Sequence, residues 1–134
     1  MSISFKKALL EEYARVAHAL SAPARLSILE QLAQGERGVE ALAEKTGLSL
    51  ANCSQHLQQL RRSSLVTSRR DGKAVIYQLS DAKILNLMDF LRIEAERNLA
   101  QVERILRGLS GDEDAPEPIS RADLAFRLAK GTVT

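Results

Sequence analysis

Large aromatic rings are nearly missing from this sequence. It has no Trp, two Tyr and three Phe in 134 residues, so its core must be built from Leu, Ile, Val and Ala. A core of that kind suits packed helices. Cysteine is limited to Cys53. A single thiol excludes an internal disulfide and suits a reducing cytoplasm. It also excludes soft-metal capture within one chain, which takes two or three thiolates. Histidine occurs only at His18 and His56. No stretch approaches the ~18 apolar residues of a membrane span, so no membrane partner is expected. The N-terminus lacks an apolar signal region and runs into Glu11 and Glu12. No secretory leader and a cytoplasmic location are therefore expected.

The formal net charge of +2 is too small by itself to imply a polyanionic partner. Its distribution says more. From Ser49 to Tyr77 five basic residues (Arg61, Arg62, Arg69, Arg70, Lys73) face Asp71 alone, a local charge of +4. From Asp89 to Glu117 four Arg face eight acids, a local charge of −4. This asymmetry points to one basic working face. Hydrophobic residues at 45% and charged residues at 27% fit an ordinary globular protein, and 134 residues suffice for one compact domain or for one small domain plus an extension.

The periodicity predicts a first helix over Ile3 to Leu20, with Leu9, Tyr13, Val16, Ala17 and Leu20 recurring near the helical repeat. Ser21 is expected to cap a second helix, with Pro23 in its first turn and an end near Gly35. A short third helix, Val39 to Lys45, should stop at Gly47. Ser49 should cap a fourth, Leu50 to Ser63. Two strands follow, Leu65 to Ser68 and Ala74 to Leu79, joined by Arg69-Arg-Asp-Gly-Lys73 with its Asp-Gly turn signal. Ser80 or Asp81 should cap a long helix, Ala82 to Leu109. Residues 110–119 read as an acidic linker, and Ser120 should cap a short helix through Leu124 and Leu128 to Lys130. The expected fold is mainly α with a small two-stranded β-hairpin wing: a winged helix-turn-helix with a long C-terminal dimerisation helix, over residues 1–109.

The fourth helix has two chemistries. Leu50, Cys53, Leu57 and Leu60 share an apolar side, whereas Asn52, Gln55, His56 and Gln59 share a polar one. A merely solvated face would carry Lys and Glu. Amides instead match the donor–acceptor pair of adenine in the major groove. Arg61 and Arg62 at the helix end suit phosphates. Arg69, Arg70 and Lys73, at the expected hairpin tip, suit phosphates or the minor groove. These features point to a regulator that binds double-stranded DNA. A winged module whose basic wing meets an acidic protein is the alternative.

Three runs carry a family resemblance: Ala19-Leu-Ser-Ala-Pro-Ala-Arg-Leu-Ser-Ile-Leu29, Leu48-Ser-Leu-Ala-Asn-Cys-Ser-Gln-His-Leu-Gln-Gln-Leu-Arg61 and Arg69-Arg-Asp-Gly-Lys-Ala-Val-Ile-Tyr-Gln-Leu79. Together they resemble the ArsR/SmtB family of bacterial repressors, over about residues 13–91. The resemblance implies a homodimer that leaves an operator when an inducer arrives. It also implies that Ser54, Gln55 and His56 lie in the DNA-reading segment. His56 has a structural role as its alternative.

The long helix offers Ile84, Met88, Leu91, Ala95, Leu99, Val102, Leu106 and Leu109, a heptad seam with one stutter. One chain has too little remaining sequence to cover it. A second copy is expected there, with Leu9, Tyr13 and Val16 of the first helix contributing.

The inducer is less legible. Many members of the family hold metal through paired Cys on the third helix or through His and acids on the last. Neither set is present here, so no metal site and no cofactor are expected. Cys53 reads either as a small core residue or as a redox or reactive-sulfur sensor, its thiol lowered by the helix dipole. No catalytic residues are expected, because a thiol enzyme would need a base and an oxyanion loop that are not evident. The run Pro118-Ile-Ser-Arg-Ala-Asp-Leu-Ala-Phe-Arg-Leu-Ala-Lys-Gly-Thr-Val-Thr134 resembles the opening of a rhodanese domain, without its active-site loop. Residues 120–134 are therefore expected to be such a tail, as in fusions of an ArsR-like regulator to a rhodanese. That layout tilts the inducer toward sulfur chemistry over metal.

Overall fold

Pro23, with no N–H to donate, opens the second helix where a missing donor costs nothing. From such local signals the chain builds eight elements in a computed structural model that describes residues 3–110. They are α1 (Ile3–Ala19), α2 (Pro23–Ala33), β1 (Arg37–Gly38), α3 (Val39–Thr46), α4 (Leu50–Arg62), β2 (Val66–Asp71), β3 (Ala74–Leu79) and α5 (Lys83–Ser110). The chain divides into two units, one ending at Ile84 and the other starting at Leu85. The expected linker and rhodanese-like tail lie outside the described residues, apart from Ser110 at the end of α5.

In the first unit the core is aliphatic, as the shortage of rings demands. Ile28 and Leu29 of α2, Leu42 of α3, and Leu57 and Leu60 of α4 are completely buried. Each such side chain contributes about 1.5–3 kcal/mol relative to exposure. Val66, Leu65 and Tyr77 close the core from the sheet side. Leu50 departs from expectation. It lies in the first turn of α4 and is 51% exposed, so it does not help hold the helix to the core.

The capping groups differ in part from expectation. Ser49 caps α4 by accepting from the Asn52 N–H at 3.1 Å. Ser21 does not cap α2. The N-cap is Ala22, without a side-chain bond, and Ser21 Oγ donates back to the His18 carbonyl. Of the two candidates before α5, Asp81 accepts from the Lys83 N–H at 2.8 Å, while Ser80 Oγ donates to the Ser64 carbonyl at 2.6 Å. At the end of α3, Gly47 takes the expected left-handed conformation at φ +74°.

The wing also needs correction. β2 runs through Asp71, paired with Ala74, so the loop is only Gly72 and Lys73. Gly72 has φ +64°, and Lys73 is not left-handed, the pattern of a type II′ turn. Asp71 therefore ends the strand rather than sitting in the turn. Arg69 and Arg70 are strand residues opposite Ile76 and Val75, not tip residues. The sheet gains a third strand, because Arg37 and Gly38 pair antiparallel with Tyr77 and Ile76. Two residues carry no periodicity, so this strand had no sequence signal.

Candidate nucleic-acid interface

Cys53, Leu57 and Leu60 turn one side of α4 fully into the core. The opposite side forms a shallow concavity lined by Ser54, Gln55, Gln58, Gln59 and Arg62. This unites four of the expected DNA-binding residues and adds Gln58. The concavity lies directly opposite the buried side, and Gln58 sits one turn from Gln55. Grouping the residues by amide spacing alone had centred the face nearer Asn52 and His56. Asn52 is exposed in the first turn, and Arg61 is exposed beside Arg62 at the helix end.

His56 sits at the flank of that face and is half-buried. Its Nδ1 lies 3.3 Å from Nη1 of Arg25 in α2. Arg25 also donates to the carbonyls of Ala19 and His18, at 2.7 Å and 2.9 Å. Sequence reasoning did not single out Arg25. An Arg in the first turn of a helix, against the dipole preference, was the signal available.

On the wing, Arg69 and Arg70 are neighbours along one strand, so they project from opposite faces of the hairpin. Arg69 donates to the Glu36 carboxylate at 2.6 Å. Among the described residues no acid pairs with Arg61, Arg62, Arg70 or Lys73. These four cations are therefore unneutralised by the fold.

Cys53 is completely buried, with its sulfur 3.9 Å from the Val39 carbonyl. Burial pushes the thiol above its ordinary pKa. The expectation of a dipole-lowered thiol is thus reversed, because desolvation of the thiolate outweighs the helix field. Among the described residues, no group of three or more His, Cys, Asp or Glu could hold a metal ion.

The expected dimer residues occupy exposed or half-covered positions within their own units. In α1, Leu9 and Val16 are half-buried and Tyr13 is exposed. In α5, Met88 is half-buried, while Leu91, Leu99, Val102 and Leu106 are exposed.

A reading helix behind a short helix and turn, beside a basic antiparallel hairpin, defines a winged helix-turn-helix of the DNA-binding class. Comparison with known proteins gives the family. Residues 20–69 match the helix-turn-helix domain family. The chain is 41% identical over 130 residues to the HTH-type transcriptional regulator Rv0324 of Mycobacterium tuberculosis, covering 96% of this chain and 56% of that relative. It thus spans little more than half of that regulator. A homodimeric winged helix-turn-helix DNA-binding domain from Mycobacterium bovis is 40% identical, with a TM-score of 0.69 over 75% of this chain and 93% of that one. The transcriptional repressor BigR from Xylella fastidiosa is 33% identical, with a TM-score of 0.57 over 68% and 93%. The chain belongs to the ArsR/SmtB-type winged-helix family of transcriptional regulators.

Proposed function

We propose that this chain is a homodimeric repressor that occupies an inverted-repeat operator and leaves it when an inducer binds or reacts. The observation that carries this is the amide-lined concavity of α4, flanked by unneutralised arginines. Gln55 and Gln59, with Asn52 and Ser54 at the edges, are assigned to base edges in the major groove. Arg61, Arg62, Arg70 and Lys73 are assigned to phosphates, with Arg69 held along the wing by Glu36. The repressor BigR and the homodimeric Mycobacterium bovis domain support repression and pairing. In a dimer of this class, the two reading helices lie about 34 Å apart, one DNA turn.

A sulfur or redox inducer fits better than a metal. One thiol per chain cannot build a soft-metal site. The resemblance of Pro118 to Thr134 to the opening of a rhodanese domain tilts this reading toward sulfur chemistry. If Cys53 is the sensor, its burial means that modification must displace α4, which would disable the reader outright. A Cys53→Ser protein that still releases DNA on treatment with inducer rules out that residue. No helix among the described residues is long and apolar enough to cross a membrane. An operator binder works in the cytoplasm, where its DNA lies.

The test is a gel shift on DNA from upstream of the chain's own gene. Binding should survive excess competitor DNA and weaken steeply between about 50 and 200 mM salt. Equal affinity for every sequence would favour the protein-interaction module instead.

A further inference from the structure

Arg25 spends all three of its nitrogen groups inside the protein. Nε and Nη2 hold the carbonyls of Ala19 and His18, in the last turn of α1. Those carbonyls form the negative end of that helix, where a cation is favoured. The remaining group, Nη1, meets Nδ1 of His56 in α4 at 3.3 Å in a part-buried setting. A guanidinium has only donors, so Nδ1 must be the acceptor and the ring proton must sit on Nε2.

The rest of α4 is held by aliphatic contacts at Leu57 and Leu60 and by Cys53. Such contacts are non-directional and set how deeply α4 sits in the core. Rolling matters for a reader. Side-chain tips lie about 5–6 Å from the axis, so a roll of about 10° moves them by about 1 Å. That is enough to spoil a bidentate contact to a base edge. A hydrogen bond on the flank of the helix adds a directional restraint on that roll.

We infer that Arg25 and His56 are a positioning couple that sets α4 against the end of α1, with His56 acting through Nδ1 and not as a reader of bases. The inference rests on α4 being the DNA-reading helix. It also ties the reader to α1, whose Leu9 and Val16 are assigned to the dimer face.

The two amide substitutions separate the roles of the ring nitrogens. In His56→Asn the side-chain oxygen can take the place of Nδ1, whereas in His56→Gln the longer amide takes the place of Nε2. Affinity and sequence discrimination are measured on duplex DNA from the chain's own promoter region, with thermal melting as the check on folding. His56→Ala and His56→Gln should each lose about tenfold in specific affinity, or about 1.4 kcal/mol, and His56→Asn should recover most of it. Arg25→Lys should behave like Arg25→Ala, because one ammonium cannot serve three acceptors set in a fork. Rescue by Gln instead of Asn overturns the inference and makes His56 a reader. Equal loss in all three His56 variants, or no loss in any, overturns it as well. Nitrogen-15 shifts of the His56 ring in the unmodified protein test the couple a second way, independent of DNA. They should show the Nε2–H form, and a ring protonated on Nδ1 defeats the couple. If the unmodified protein binds DNA without sequence preference, the functional reading fails, and the ring tautomer alone decides this inference.

Discussion

Gln55 and Arg70 make the sharpest contrast among single residues. Gln55 lies in the α4 concavity, and Arg70 lies on β2 without an acid partner. Gln55→Ala should cost about 1–3 kcal/mol against the preferred base while leaving nonspecific binding intact. Arg70→Ala should weaken binding to all sequences and reduce the salt slope by about one unit. Titrations of both variants on matched and mismatched duplexes check this, and indistinguishable profiles would refute the division into readers and phosphate contacts. Cys53 supports a pH prediction. Its thiol titrates higher in the folded protein than in the unfolded chain, because burial penalises the thiolate. The folded state therefore holds its proton longer. The associated stability is complete below the ordinary thiol pKa of about 8.5 and is lost as pH rises above it. Melting temperatures should fall above that pH, and Cys53→Ala should remove this part of the slope. At this scale the sequence revealed chemistry better than direction. The apolar and amide identities marked α4, but Leu50 proved exposed and Gln58 joined the concavity. The partner of His56 lies 31 positions away, where no local pattern can reach.

Among the elements, the end of α4 carries visible backbone strain. Ser64 has φ +62° although it is not glycine. The Ser64 N–H donates to the Arg61 carbonyl, and the Leu65 N–H to that of Leu60, which is a Schellman motif with Ser where Gly is usual. An L-residue pays roughly 1–2 kcal/mol in that conformation. Ser64→Gly should therefore stabilise the protein by up to about 1 kcal/mol, after the extra chain entropy of glycine is subtracted. The midpoint of urea denaturation measures it, and an unchanged or lower midpoint would show that the conformation is not strained. The motif matters for function because it aims the chain from Arg61 and Arg62 into the wing. Five helices and the hairpin were legible from periodicity, proline and glycine. The longer β2 was not, because Arg69 to Asp71 are held in the strand by pairing with β3 rather than by their own propensity. β1 exists for the same reason.

For the whole molecule, the decisive quantity is the apolar surface that the chain leaves uncovered. Leu99, Val102 and Leu106 are exposed along α5, on one face of a helix of 28 residues. Each is spaced by three or four residues from the next, the repeat of a helix that packs on a like partner. The heptad seam marked the same stripe in the sequence, and the charge asymmetry put the basic cluster in another segment, Ser49 to Tyr77. No local run of residues names an inducer. Leu99→Glu with Val102→Glu should place two carboxylates in the proposed interface and produce a monomer in sedimentation. The winged unit should keep its fold, since its own core of Ile28, Leu29, Leu42, Leu57 and Leu60 is closed without those residues. Operator affinity should then collapse for a stated reason. One half-site offers half the phosphate contacts, so the slope of log affinity against log salt should fall to roughly half that of the dimer. A monomeric variant that retained the full slope would mean that one chain makes all the contacts, and that the inverted-repeat geometry is wrong. A variant that stayed dimeric would move the interface off this stripe of α5.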